Sequence, residues 1–351
     1  MKTDIIKFKG NGKDKIYLKK ISQTLRDGGL VVLPTETVYG LGGNGLNKRT
    51  CKKIYEAKGR PSDNPLILHI ADNSQLDDLV VEVPEVAKKC IKKFWPGPLT
   101  IIFKRSDRVP DEATGGLDTV AIREPNNKIA HDILKSVDFP VAAPSANLSG
   151  RPSPTKVEHV IEDLDGRVDI IVDGGHSVVG IESTVLDVTV DPPMILRPGK
   201  ITLEDLQEID ERITIDSATI DSESHEVPKS PGQKYRHYAP KADATCFGGR
   251  LDKVVNEIKK NIEENKDKKI AVLATDETYD EYENTGVKLL INLGSRDHLE
   301  EVATNLFDAL RRCDEEDVDL IFAEGFELRG IGLSIMNRLL KACGGKVVRR
   351  I

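Results

Sequence analysis

The chain has 351 residues, 38% apolar and 31% charged, with a formal net charge of −7; this excludes a disordered, charge-dominated polymer, and the length suggests two domains at about 150 residues each. An acidic total argues against a protein that clamps long nucleic acid non-specifically, because neutralising phosphates needs clustered Lys and Arg. The first residues, MKTDIIKFKGNGKDK, hold no apolar segment and no later run is long enough to cross a bilayer, so a cytoplasmic location without membrane partners is expected.

With eight Phe, seven Tyr and one Trp, the cores must be built from Val, Ile, Leu and Ala, as in buried parallel sheets. In chain order, apolar runs predict strands at Leu30 to Leu33, Leu66 to Ile70, Leu99 to Phe103, Val120 to Ile122, Val141 to Ala143, Ile170 to Val172 and Thr184 to Val188. Amphipathic spacing predicts helices at Ile16 to Arg26, Lys48 to Ala57, Pro84 to Phe94, Ile129 to Lys135 and Val157 to Leu164. Helix-separated and consecutive strands both occur, so a twisted mixed sheet is expected over residues 1–212. Residues 213–241, rich in Ser, Asp, Pro and charge, read as a linker or long ordered loop. Beyond it, strands at Ala244 to Phe247, Ile270 to Ala274, Val287 to Ile291 and Leu320 to Ala323 alternate with helices at Leu251 to Glu264, His298 to Arg312 and Ile335 to Cys343. That order predicts a smaller, Rossmann-like parallel-sheet domain over 242–351. No GxGxxG follows its first strand, so fold alone assigns it no dinucleotide. Cys51, Cys90, Cys246, Cys313 and Cys343 form no CxxC pair, which favours buried thiols over disulfides or zinc.

Three polar clusters carry possible chemistry, each beside a predicted strand. Pro34-Thr35-Glu36-Thr37-Val38-Tyr39-Gly40 follows the first strand, and hydroxyls with backbone N–H groups at a strand's carboxyl end suit a small polar ligand; a glycine-rich turn with a Thr cap is the plainer alternative. Lys58-Gly59-Arg60-Pro61-Ser62-Asp63-Asn64 ends a helix, and two cations one residue apart can straddle a polyphosphate; otherwise they form a solvated basic turn. His69, in the strand that follows, is by default a satisfied core histidine. Ala143-Pro144-Ser145-Ala146-Asn147-Leu148-Ser149-Gly150, followed by Arg151-Pro152-Ser153-Pro154-Thr155, precedes a helix whose N-terminus could receive an anion, with Thr155 reading as an N-cap.

Together PTETVYGLG, KGRP with NPL, WPGPLT at Trp95 to Thr100, PSANLSG and SPT resemble the L-threonylcarbamoyladenylate synthases of the YrdC-like fold. The segment Ser230-Pro231-Gly232-Gln233-Lys234-Tyr235-Arg236-His237-Tyr238-Ala239-Pro240 is similar to the linker of their long, two-domain branch, with Gln233 standing where that family has Met. The resemblance implies a nucleotidyltransferase that joins L-threonine, bicarbonate or CO2, and ATP into threonylcarbamoyl-AMP and pyrophosphate. That product would pass to a tRNA threonylcarbamoyl-transfer machinery, with magnesium carried by ATP and no metal held by protein side chains.

The same likeness implies Lys58, Arg60, Asn64, Thr119, Ser145, Asn147, Ser153, Arg197 and Tyr235 for ATP, with Lys58 and Arg60 stabilising the departing charge. It implies Thr35 or Thr37, His69, Arg123 and Ser183 or Thr184 for threonine. Arg123 at a strand end suits a carboxylate as a bidentate partner; the cations and phenols of the 213–241 linker read as an active-site lid or else as a strap docking the two domains, and the family pattern implies Tyr235 as its ligand-facing residue. Two rivals are an RNA-binding module of the same fold without chemistry, disfavoured by acidity and few aromatic platforms, and a hydrogenase-maturation domain, whose zinc-finger cysteines are missing here.

Overall fold

The computed structural model describes residues 2–8, 13–219 and 237–349. Two compact units share them: one holds the described residues up to Ser149 and from Ser153 to 219, the other Gly150–Pro152 and the residues from 237 onward.

In the first unit, eleven strands form one mixed sheet. They are β1 (Asp4–Lys7), β2 (Val31–Leu33), β3 (Gly40–Asn44), β4 (Ile67–His69), β5 (Leu99–Lys104), β6 (Thr119–Arg123), β7 (Val141–Ala142), β8 (Ile170–Asp173), β9 (Thr184–Asp187), β10 (Met194–Arg197) and β11 (Thr214–Ile215). Their spatial order is β1-β8-β2-β3-β7-β4-β6-β5-β9-β10-β11. Both faces are covered, and the two-residue strand period decides which side chain goes where. Val31 and Leu33 pack with Ile21, Leu25 and Ile133 on one face. Val32 between them packs with Cys51, Ile54 and Ile91 on the other. The helices at Lys13–Arg26 and Lys128–Lys135 therefore serve one side, and those at Lys48–Lys58 and Glu85–Phe94 the opposite side.

The expected strands of this unit all form, and four unexpected ones form beside them: β1, β3, β10 and β11. β11 lies within the stretch read as linker, where it pairs in parallel with β10.

The second unit has five parallel strands, β12 (Asp243–Gly248), β13 (Ile270–Ala274), β14 (Leu289–Asn292), β15 (Leu320–Glu324) and β16 (Val347–Arg349), in the order β14-β13-β15-β12-β16. This is the expected parallel sheet with one more strand. Its buried Glu324 is held by Thr275, by Tyr282 at 2.9 Å and by Arg296 at 2.9 Å. All five cysteines are buried free thiols. Burial pushes Cys90 up to about 11 and Cys51 up to about 12, which leaves both as protonated packing groups.

Candidate active site

Sheet register builds the first half of the site. β4 and β6 are parallel with His69 opposite Arg123, so both reach the same carboxyl edge. The loop after β2 runs along that edge. There Arg123 Nη1 donates to Thr37 Oγ1 at 2.9 Å, its Nε donates to the Gly97 carbonyl at 3.1 Å, and its Nη2 lies 2.6 Å from Glu36 Oε1. Thr35 and Thr37 share a hydroxyl contact at 2.9 Å. All of these side chains are buried. His69 Nδ1 lies 3.2 Å from the Ile67 carbonyl, and burial, reinforced by the Arg123 charge, pulls its pKa down to about 3. It is therefore a neutral ring.

The second half gathers around β7, β9 and β10. Lys58 ends its helix one residue before Gly59, which takes a left-handed φ of 61° as the cap. Its ammonium then crosses to the loop after β7, donating to the carbonyls of Ser145 and of Asn147, the latter at 2.7 Å. Only 2% of Lys58 is exposed, so the solvated basic turn anticipated from sequence is, at this residue, a buried tie between two motif loops. Arg60 folds back on its own loop, its Nη2 donating to the Asn64 and Pro65 carbonyls at 3.3 and 3.0 Å.

Asn147 Nδ2 donates to the Leu148 carbonyl, and Ser145 bridges to Gly40, which joins this loop to the one after β2. Arg197 binds Ser183 through both the main-chain carbonyl, at 3.0 Å, and Oγ, at 3.1 Å; Ser183 Oγ also meets Thr100 Oγ1 at 2.7 Å.

Other expected residues lie as follows in the fold. Thr184 Oγ1 donates to the Ile201 carbonyl at 2.6 Å and Ser153 Oγ donates to the Glu182 carboxylate, so both hydroxyls are engaged within the protein. Thr155 is not the N-cap of the Val157–Leu164 helix; Lys156 holds that position, without a side-chain cap bond. Thr119 opens β6 opposite Lys104, at the end of that strand away from Arg123. Tyr235 and most of the proposed lid lie outside the described residues.

Sequence reasoning missed Glu36 and Glu182 as site groups. A carboxylate set between two threonines at a strand end was the available signal for Glu36; nothing marked Glu182.

Four buried oxygens in the three motif loops have no hydrogen-bond partner: both carboxylate oxygens of Glu36, Asn64 Oδ1 and Thr155 Oγ1. Buried polar atoms are nearly always satisfied, so such a concentration marks a place where a ligand supplies the partners. Among the described residues, no group of three or more His, Cys, Asp and Glu could hold a metal ion.

A mixed sheet whose carboxyl edge gathers hydroxyls, buried cations and unsatisfied amide and carboxylate oxygens is the frame on which comparison places the chain. The Sua5, YciO and YrdC family model, described as telomere recombination, matches residues 23–199, and one described as the C-terminal domain of threonylcarbamoyl-AMP synthase matches 201–344. The chain belongs to this family, in its two-domain branch, and is an enzyme of the nucleotidyltransferase type.

Threonylcarbamoyl-AMP synthase of Pyrococcus abyssi is 48% identical over 93% of both chains, and that of Bacillus subtilis 50% identical over 93% of this chain and 92% of its own. The crystal structure of P. abyssi Sua5 complexed with L-threonine superimposes with a TM-score of 0.92 at 44% identity, covering 99% of each chain. The structure of Escherichia coli YciO matches 57% of this chain and 96% of its own, with a TM-score of 0.50 at 27% identity.

Proposed function

We propose that the protein condenses L-threonine, bicarbonate or CO2, and ATP into L-threonylcarbamoyladenylate and pyrophosphate, the activated carbamate from which threonylcarbamoyladenosine in tRNA is made. The observation that carries this reading is the set of buried, unsatisfied acceptors at Glu36, Asn64 and Thr155 beside the buried cations Lys58, Arg123 and Arg197. The relatives' names and the threonine complex of the P. abyssi protein support it.

The chemistry needs no protein nucleophile. Threonine's nitrogen attacks the carbon of bicarbonate or CO2, and the carbamate oxygen attacks the α-phosphorus of ATP, so the protein's work is positioning and charge stabilisation. In this reading Lys58 and Arg60, with Asn64, Ser145, Asn147, Ser153 and Arg197, serve the nucleotide. Thr35 or Thr37, His69, Arg123 and Ser183 serve threonine. Magnesium would arrive on the phosphates of ATP, consistent with a donor set of hydroxyls, amides and cations rather than carboxylate clusters.

No helix among the described residues is long and apolar enough to cross a membrane, in keeping with a proposed cytoplasmic site of action beside the tRNA transfer machinery. The test is mass spectrometry of the product formed from threonine, ATP and 13C-bicarbonate. Labelled threonylcarbamoyl-AMP, with pyrophosphate release requiring both threonine and bicarbonate, is the expected result, and its absence overturns the reading.

A further inference from the structure

Glu36 is 6% exposed, yet its carboxylate is held by one ion pair and no hydrogen bond. Oε1 lies in an ion pair with Arg123, and neither it nor Oε2 has a hydrogen-bond partner. Arg123 donates through Nε to the Gly97 carbonyl and through Nη1 to Thr37, while its Nη2, ion-paired with Glu36, makes no hydrogen bond. The pocket expected to take an amino acid thus contains one guanidinium and one carboxylate side by side, the complement of an amino acid's own carboxylate and ammonium. A buried carboxylate oxygen lacking a donor calls for one of high strength, and the substrate has a single such group, its ammonium.

Resting on the synthase reading, we propose that Glu36 is a catalytic residue: its carboxylate binds the threonine ammonium and accepts the proton that this group must lose before its nitrogen can attack carbon. An ammonium has no lone pair, so this transfer precedes carbamate formation. One N–H proton moves to Glu36, leaving a neutral amine and a carboxylic acid. The amine's lone pair forms the N–C bond to bicarbonate carbon, and bicarbonate's hydroxyl leaves as water with a second N–H proton, giving the carbamate anion. Glu36 then returns its proton to solvent.

Neighbouring groups do not offer the same service. Thr35 and Thr37 are hydroxyls bound to each other, and His69 is enclosed, with its Nδ1 on a main-chain carbonyl. The ionisable groups on the surrounding elements are Arg123 and Glu124 at the end of β6, His69 on β4, Asp173 on β8, paired with Lys7 at 3.1 Å, and His176 and Glu182 in the loop beyond. None of the carboxylates among them shares the Arg123 pairing that Glu36 has.

The experiment compares E36Q and E36D with the wild type across pH. Glutamine keeps the shape but cannot take a proton, so E36Q should lose about a hundredfold in turnover near neutrality, within the range for a general base. The ratio of E36Q to wild-type rates should then climb at least about tenfold as pH rises past the amine's own pKa, because solution hydroxide then does the deprotonation. Taking the ratio cancels the change in CO2 supply. E36D should keep a flat ratio.

A flat ratio for a folded E36Q overturns the proposal. Calorimetric binding without ATP gives a second readout, and E36A takes the place of E36Q in both measurements should E36Q fold poorly. E36D should still prefer L-threonine over the 2,3-dihydroxybutanoate that has a hydroxyl in place of the amine, and E36Q should lose that preference; an unchanged preference in E36Q overturns the proposal. A wild type that makes no threonylcarbamoyl-AMP at all would instead count against the function.

Discussion

At the scale of single residues, burial changes what a substitution is expected to do. Lys58→Ala removes the ammonium that holds the Ser145 and Asn147 carbonyls, so turnover and stability should fall together, the latter by about 1–3 kcal/mol for the buried acceptors left behind. Arg60→Ala, at a half-buried position that donates to carbonyls of its own loop, should cut turnover with little shift in melting temperature. Denaturation curves recorded beside pyrophosphate-release rates separate the two. Arg123→Ala strands Glu36 as an unpaired buried charge, at a cost of about 3–5 kcal/mol. Adding E36Q should restore most of that stability without restoring threonine binding, which urea titration and calorimetry would show.

His69 gives a pH dependence of definite sign. Its folded pKa, about 3, lies below the ordinary 6.5, so the unfolded chain binds more protons between these values. Its contribution is fully present above about 6.5 and is lost as pH falls towards 3. His69→Gln should therefore flatten that part of the stability profile relative to the wild type, measured by denaturant midpoints at each pH.

At the scale of elements, the helix at Lys48–Lys58 shows how a cap sets a site. Gly59 takes a left-handed φ, and a Cβ added there would meet nothing within 4 Å. The cost of replacement is therefore backbone strain alone, about 1–2 kcal/mol for a β-branched residue and less for Asn. Gly59→Asn should melt near the wild type and keep activity, whereas Gly59→Val should lose roughly ten- to hundredfold in turnover by moving Lys58 and Arg60. Paired melting curves and rates check this.

The same scale shows what could be read in advance. Strands carried by Val, Ile and Leu runs were legible, as at β2, β5 and β8. β3, with the sequence GLGGN, was not, because three glycines in five residues carry no strand signal. It forms because its neighbours need bare backbone there: a Cβ on Gly42 would sit 2.8 Å from the Val31 carbonyl. The motif loops were legible by residue type. Their partnerships were not, since Lys58 meets Asn147, and Glu36 meets Arg123, across long separations that only the sheet order supplies.

At the scale of the molecule, the first unit has its own sheet and core, and YciO, matched over 96% of its own length, covers 57% of this chain. A fragment of residues 1–219 should therefore unfold in a single cooperative calorimetric transition and still bind L-threonine, since Thr37, Glu36, His69 and Arg123 all lie within it. A broad, non-cooperative transition would count against an independent unit.

The parallel pairing of β1 and β2 with β8 also bears on the order of events during synthesis. Asp4 lies against Ile170, and Val31 against that same residue, so the strands at the start of the chain have to wait for a partner translated some 140 to 170 residues later. At about 5–20 residues per second, translation leaves Val31-Val32-Leu33 without that neighbour for roughly 7 to 28 seconds. Closure over such sequence distances is slow even after the partner arrives. A ribosome stalled before residue 170 thus presents an apolar strand with one open edge, the form of nascent chain on which chaperone holding and aggregation compete.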